Sequence, residues 1–284
     1  MMTHDIIVML STHNRPTELC ITLMSLWQQS FKAFDILIVD DASSPAVMMQ
    51  ELFLKIMDRL IDDGHDVRVK RFDTNNGIAK NRSLLLNQLK RYKYVLDLND
   101  DHFLESCAVH NMKSYLDEHP DVGAVGSATP FFFDKLKDRI EYYSLGMPIN
   151  IIHTTSNGDK KEIFMTRKVD KVFLNSDGKL CFEPIEVKHM SQFMYRPELI
   201  DELPQDYSVL GFSEETDLSL RIRKAGKKLI FLPYVINWHL QSGNGGIREH
   251  YGMHKKEMVE ADNNIFVNNW WGWLSEQEKN KKQD

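Results

Sequence analysis

The chain has 284 residues, of which 42% are hydrophobic and 27% charged, with a net charge of −6. That length suits one large α/β domain or two smaller ones. The acidic balance argues against a protein whose main task is gripping duplex nucleic acid, and three scattered cysteines (Cys20, Cys107, Cys181) offer no disulfide framework and predict a reducing, cytoplasmic setting.

The N-terminal part alternates predicted strands and helices. Met1 to Asp5 lead straight into Ile6-Ile7-Val8-Met9-Leu10, a run too short for a secretory h-region and without a basic start. No apolar run approaches the roughly 20 residues of a membrane helix, so no integral membrane segment is expected. Asp5–Leu10 reads as a buried strand. Thr12-His13-Asn14-Arg15-Pro16 reads as a turn, with Pro16 at a first helical position. Leu19, Leu23, Leu26 and Trp27 then recur at helical spacing. Phe34–Val39 is a second strand running into Asp40-Asp41-Ala42-Ser43-Ser44-Pro45, and a helix follows through about Ile61. Val67–Phe72 is a third strand ending in Asp73-Thr74-Asn75-Asn76-Gly77, and Ile78, Leu85 and Leu89 mark the next helix. Tyr92–Leu98 is a fourth strand. This repetition predicts a mostly parallel sheet with right-handed crossovers. Such sheets bind ligands beyond the carboxyl ends of their strands. The polar clusters Thr12–Arg15, Asp40–Ser44, Asp73–Gly77 and Asn99–His102 all fall there.

The second half is less regular. Val122–Phe133 reads as a strand rich in small residues. Between about 134 and 190, turns such as Asn157-Gly158-Asp159 and Ser176-Asp177-Gly178 predict hairpins. Glu214–Ala225 is a predicted helix, with Asp217 and Arg221 paired at i,i+4 and Gly226 ending it. Lys228–His239 is a strand interrupted at Pro233, and the tail from Trp270-Trp271-Gly272-Trp273 onward ends in solvated Lys, Glu and Gln. Without a repeat or a clean linker, one compact domain is expected.

Asn99-Asp100-Asp101 carries the chemical lead. Carboxylates this close repel, and a divalent cation removes that cost. Oxygen donors suit Mg²⁺ or Mn²⁺, which in turn hold phosphates. On an extended chain, Asn99 and Asp101 share a face with Asp97 below them, and Asp100 points opposite. A solvated acidic turn or a helix cap is the alternative.

Six segments taken together then resemble a known family: Ser11-Thr12-His13-Asn14-Arg15-Pro16, Val39-Asp40-Asp41-Ala42-Ser43, Asn76-Gly77-Ile78-Ala79-Lys80-Asn81-Arg82, Asn99-Asp100-Asp101, Gly211-Phe212-Ser213-Glu214-Glu215-Thr216-Asp217-Leu218-Ser219-Leu220-Arg221 and Trp238-His239. In order and spacing, from about residue 5 to 240, they resemble the GT-A glycosyltransferases of family 2. Two departures stand out. The family's Asp-x-Asp carries an amide, Asn99, in its first slot, and Asn81-Arg82 reverses the usual Arg-Asn.

The resemblance implies a Rossmann-like GT-A fold with a smaller β-rich acceptor side. Residues 1–245 would form the catalytic domain, with about 1–125 binding the nucleotide sugar and about 126–245 the acceptor, and 246–284 a helical tail. It implies sugar transfer from a nucleotide sugar, UDP-sugar foremost, to an acceptor hydroxyl with inversion. The acceptor stays open among a glycan, a lipid-linked glycan, a protein and a modified nucleobase. Thr12, Asn14 and Arg15 would hold base and ribose, Asp40 the base with Asp41 beside it, and Asp73, Asn76 and Gly77 would close over them. Arg82 and Asp100 would also serve the nucleotide sugar, Arg82 at its phosphates. Asn99, Asp101 and His239 would ligate Mn²⁺ or Mg²⁺. Glu215 would be the base, and Asp217 would orient Arg221 or the acceptor. The stretch from about 131 to 195, with the C-terminal tail, would shape the acceptor site, and its aromatics Phe131, Phe132, Phe133, Tyr142 and Tyr143 would stack on sugar rings or bases, with core packing as the alternative. A binding module that has lost catalysis and a nucleotidyltransferase on a related sheet are the competing readings.

Overall fold

A computed structural model describes residues 4–132, 151–158, 160–166, 183–250 and 254–280. The first strand, β1 (Ile6–Thr12), is buried on both faces over its apolar run. Ile6, Val8 and Leu10 join one core cluster, while Ile7 and Met9 join a second on the other side. That strand parity explains why the run is continuously apolar instead of alternating. Beside it lie β2 (Phe34–Asp41) and β4 (Tyr94–Asn99), both parallel to it, and β3 (Val67–Phe72) extends the sheet beyond β2. Helices α1 (Pro16–Trp27), α2 (Glu51–Asp62) and α4 (Ala108–Glu118) cover the first face, and α3 (Ile78–Leu89) and α5 (Glu214–Lys224) the second.

The remaining strands are β5 (His102–Leu104), β6 (Val122–Ala128), β9 (Ile185–Val187), β10 (Phe193–Tyr195) and β11 (Lys228–His239). They complete a nine-stranded sheet of order β3-β2-β1-β4-β10-β6-β11-β5, with β9 also on β11. The short β10 is antiparallel to both of its neighbours, so the sheet is mixed at its centre. The strands β5, β9 and β10 were not expected from sequence, because three-residue strands carry too few residues to display a period, and the 11-residue α4 was not expected either. The strand expected over 122–133 stops at Ala128, although Phe131 still bridges to His239. Pro233 does not interrupt β11. The strand continues to His239 through a register shift between Leu232 and Ile236, which absorbs the missing proline N–H.

A separate hairpin pairs β7 (Ile151–Asn157) with β8 (Lys160–Thr166), as the Asn157-Gly158 turn predicted. The turn expected at Ser176-Asp177-Gly178 lies outside the described residues, as do Phe133, Tyr142 and Tyr143. Helix α6 (Lys255–Asn280) closes the chain. Its Phe266, Trp270 and Leu274 pack with Leu220 of α5 and with Ile152 and Ile163 of the hairpin. Among the described residues, no helix is long and apolar enough to cross a membrane.

Candidate active site

The register brings the strand ends together: Thr12 lies opposite Asp40, and Ser11 opposite Asn99. Beyond them opens a cavity of about 540 Å³, lined from the β1, β2 and β4 ends, the loop before α3, the start of α5, and residues 246–250.

At one end, Asp41 organises a loop. Its carboxylate accepts the backbone N–H groups of Asn76 at 2.9 Å and Gly77 at 2.8 Å. Gly77 sits at φ +76°, and a Cβ there would fall 2.7 Å from the Val209 Cα, so only glycine fits. Thr12, Asp41 and Gly77 line the cavity, whereas Asn14, Asp40, Asp73 and Asn76 do not. Asp40 is fully buried behind the site. It accepts the N–H of Ser43 at 2.9 Å and of Val47 at 3.1 Å, and it pairs with Arg71. It shapes the loop that was expected to touch a base. The Asn14 Oδ1 accepts the Ser44 N–H at 2.7 Å, and its amide donates to Glu249. Asp73 is exposed.

At the centre lie Asp100, Asp101, His102 and His239. The chain turns after Asn99, so the strand parity expected of Asn99, Asp100 and Asp101 breaks. Asp100 and Asp101 both receive Arg15 Nη1, at 3.1 and 3.2 Å. Arg15 is buried, and its Nε donates to the Asn244 carbonyl at 2.8 Å. It is therefore committed to acids and backbone, not to a base or ribose. Asp101 Oδ2 lies 3.3 Å from His239 Nε2, and Asp101 Oδ1 lies 3.8 Å from His102 Nε2. The two imidazoles stack at 4.8 Å. One potential ligand atom from each of Asp101, His102 and His239 falls within 4.8 Å of the others. Burial opposes the charge on Asp101, but the His239 hydrogen bond, His102 and Arg15 outweigh it and hold the carboxyl well below the usual range. Burial pushes the His102 imidazole down to about 4, leaving it neutral with a lone pair to give. Burial also lifts Asp100 to about 7 against the pull of Arg15. One firmly ionised carboxylate with two imidazoles is a donor set that could hold a divalent transition ion. His102 was not among the candidate ligands read from sequence, although it directly follows the acids. Asn99 lines the cavity, and its N–H donates to Gln192 Oε1 at 3.0 Å.

At the far end stand three acids of α5, each with a different fate. Glu214 is buried against Arg82, whose Nε also donates to Asp97 at 2.5 Å. This triad, which sequence reading missed, uses the Arg82 charge expected at a phosphate, and Arg82 does not line the cavity. It also engages Asp97, which was expected to lie below Asn99 and Asp101. Asp217 accepts Trp270 Nε1 at 2.8 Å, Arg221 Nε at 2.5 Å and the Tyr207 hydroxyl at 3.3 Å. The i,i+4 pairing with Arg221 expected from sequence is present, but Asp217, a candidate catalytic residue, does not line the cavity. Glu215 does line it, and burial together with the Glu214 charge pushes its carboxyl up to about 8. Residues 246–250 carry no periodic signal that sequence reading could use, yet they lie over the first loops. There His250 meets Asn75 at 2.9 Å and Glu249 meets His13 at 3.0 Å.

Comparison with known proteins bears on the fold. The chain is similar to TarS of S. aureus in complex with UDP-GlcNAc, at TM-score 0.58 and 16% identity, over 89% of this chain and 64% of that one. A longer TarS structure gives TM-score 0.54 and 17% identity over 84% of this chain and 37% of that one. GalNAc-T7 with UDP, GalNAc and Mn²⁺ gives TM-score 0.58 and 15% identity over 84% and 44%. The chain thus spans less than two thirds of each of these proteins. A comparison with curated protein sequences returned no match. A model of "Glycosyl transferase family 2" matches residues 7–200. A mixed sheet with its cavity beyond the strand ends, matched by that model over most of its length, makes this chain a member of glycosyl transferase family 2.

Proposed function

We propose that the protein moves a sugar from a UDP-sugar to an acceptor hydroxyl, with inversion, aided by Mn²⁺ or Mg²⁺. One observation carries this reading. Of the three acids at the start of α5, Glu214 is held by Arg82 and Asp217 by Arg221 and Trp270, while Glu215 lines the cavity and makes no ion pair among the described residues. Inversion needs a base that removes the acceptor proton as the hydroxyl attacks the anomeric carbon opposite the leaving diphosphate. A carboxylate lifted to about 8 is a stronger base than an ordinary glutamate and suits that step. Thr12 and the Asp41–Gly77 loop hold the nucleoside. Asp101, His102 and His239 would hold the cation, which would supply Lewis-acid relief of charge on the leaving diphosphate. Arg15 keeps Asp100 and Asp101 apart from bulk solvent and in register. The catalytic unit is residues 1–245 completed by residues 246–250 at the cavity, with helix α6 packed on it, and the cysteine pattern supports a reducing compartment.

UDP-GlcNAc, the sugar nucleotide of the TarS complex, is the first donor to test. Glu215→Gln should slow turnover roughly 10²- to 10⁴-fold while leaving UDP affinity nearly unchanged. Normal turnover in that variant would remove the proposed base. A parent protein that binds UDP-sugar yet releases no UDP with any acceptor would favour a binding module.

A further inference from the structure

The donor's diphosphate needs cationic partners, and the arginines marked by sequence do not supply them. Arg82 is enclosed by Asp97 and Glu214, and Arg15 by Asp100, Asp101 and two backbone carbonyls. One other arginine among the described residues lines the cavity, Arg248. Its Nη1 is buried and has no hydrogen-bond partner. A buried guanidinium N–H left unpaired is costly, which is a reason to look for the group that completes it.

The segment that carries Arg248 is built in place. Gly245 and Gly246, at φ +66° and +54°, lie so close to Arg15 that a Cβ on either would come within 2.7 Å of its side chain. Arg15 donates to the carbonyls of Asn244 and Gly245, and the Gly246 N–H donates to the His13 carbonyl at 2.7 Å. Past this anchor, Glu249 reaches His13 and Asn14, and His250 reaches Asn75. Arg248 is thus held between contacts to the β1 and β3 loops. It lines the same cavity as Asp101 and His239, and Arg15 is the shared strut.

We propose that Arg248 is the residue that binds the donor's diphosphate, the role that sequence pattern offered to Arg82. This rests on the nucleotide-sugar reading. A guanidinium offers paired N–H donors that match phosphate oxygens, and it keeps its charge at every working pH. Arg248 lies beyond residue 200, where the family match ends.

Calorimetry with UDP and with uridine, both in the presence of Mn²⁺, tests it on the full chain. Arg248→Met should weaken UDP binding roughly 10- to 100-fold, as expected for lost hydrogen bonds to a charged group, and leave uridine binding unchanged. Arg248→Lys should recover part of the loss, because charge survives without the fork. Unchanged UDP affinity in Arg248→Met would overturn the proposal. Equal losses for UDP and uridine would overturn it too, since they would mean that Arg248 only shapes the loop. A parent that binds UDP no better than it binds uridine would overturn the diphosphate site, and a parent that binds neither would overturn the donor reading beneath it.

Discussion

Glu215 links the chemistry of the site to its pH dependence. Its ordinary value of 4.5 is raised to about 8 by burial and by Glu214. Between those values the folded protein holds a proton that the unfolded chain releases. The contribution of this residue to stability is therefore complete below about 4.5 and is lost as pH rises through about 8. Glu215→Gln stays neutral throughout. Its stability relative to the parent should rise with pH across that window, as read from melting temperatures at pH 5 and pH 9. The same residue should give a rate that climbs toward an apparent pKa near 8, a limb absent from the glutamine variant. At the centre of the site, Asp101 is the single firmly ionised donor beside two imidazoles. Asp101→Asn should weaken Mn²⁺ binding at least tenfold, by analogy with losses from perturbed metal sites, and EDTA should inhibit the parent. Undiminished Mn²⁺ binding, followed by its paramagnetic signal, would argue for a different ligand set.

Helix α6 acts on the site without lining it. Asp262 is fully buried and accepts three donors from the loop before α5: Ser208 N–H at 2.6 Å, Ser208 Oγ–H at 2.8 Å and Phe212 N–H at 2.8 Å. Trp270 adds the Asp217 bond one helical face along. These contacts fix the loop that both leans on Gly77 and leads into Glu214-Glu215. Asp262→Asn keeps the volume but turns an amide N–H toward backbone donors. It should cost about 1–3 kcal/mol in urea unfolding, the usual penalty for unsatisfied buried groups, and it should lower turnover in the folded fraction. Ser208→Ala, which removes one of the three donors, should cost less. If Asp262→Asn unfolds with the midpoint of the parent, the clamp is not structural.

At the scale of the whole molecule, the site draws on widely separated stretches, so ligand binding and folding are linked. UDP with Mn²⁺ should stabilise the protein by about 2.7 kcal/mol at a hundredfold excess over Kd, visible as a raised melting temperature. Removal of Mn²⁺ should shrink that gain, and an unchanged transition would count against a nucleotide site here. The sheet was legible from sequence because runs such as Ile6-Ile7-Val8-Met9-Leu10 and Ile36-Leu37-Ile38-Val39 carry their burial in their own composition. The polar clusters at the strand ends were legible for the same reason: parallel topology puts consecutive strand ends on one edge. Sequence alone therefore determined the α/β class, the family resemblance and the sheet edge beyond which the cavity opens. It could not tell Glu214, Glu215 and Asp217 apart, since adjacent acids differ only in what folds against them. The tertiary structure decided that Arg82 neutralises Glu214 and that Trp270, 53 positions beyond Asp217, holds that residue. It likewise decided that Arg15 serves the acids, and that Arg248 reaches the cavity with a free N–H. Ion pairs of this kind join residues far apart in the chain, and their partners follow from packing and desolvation, which local pattern does not encode.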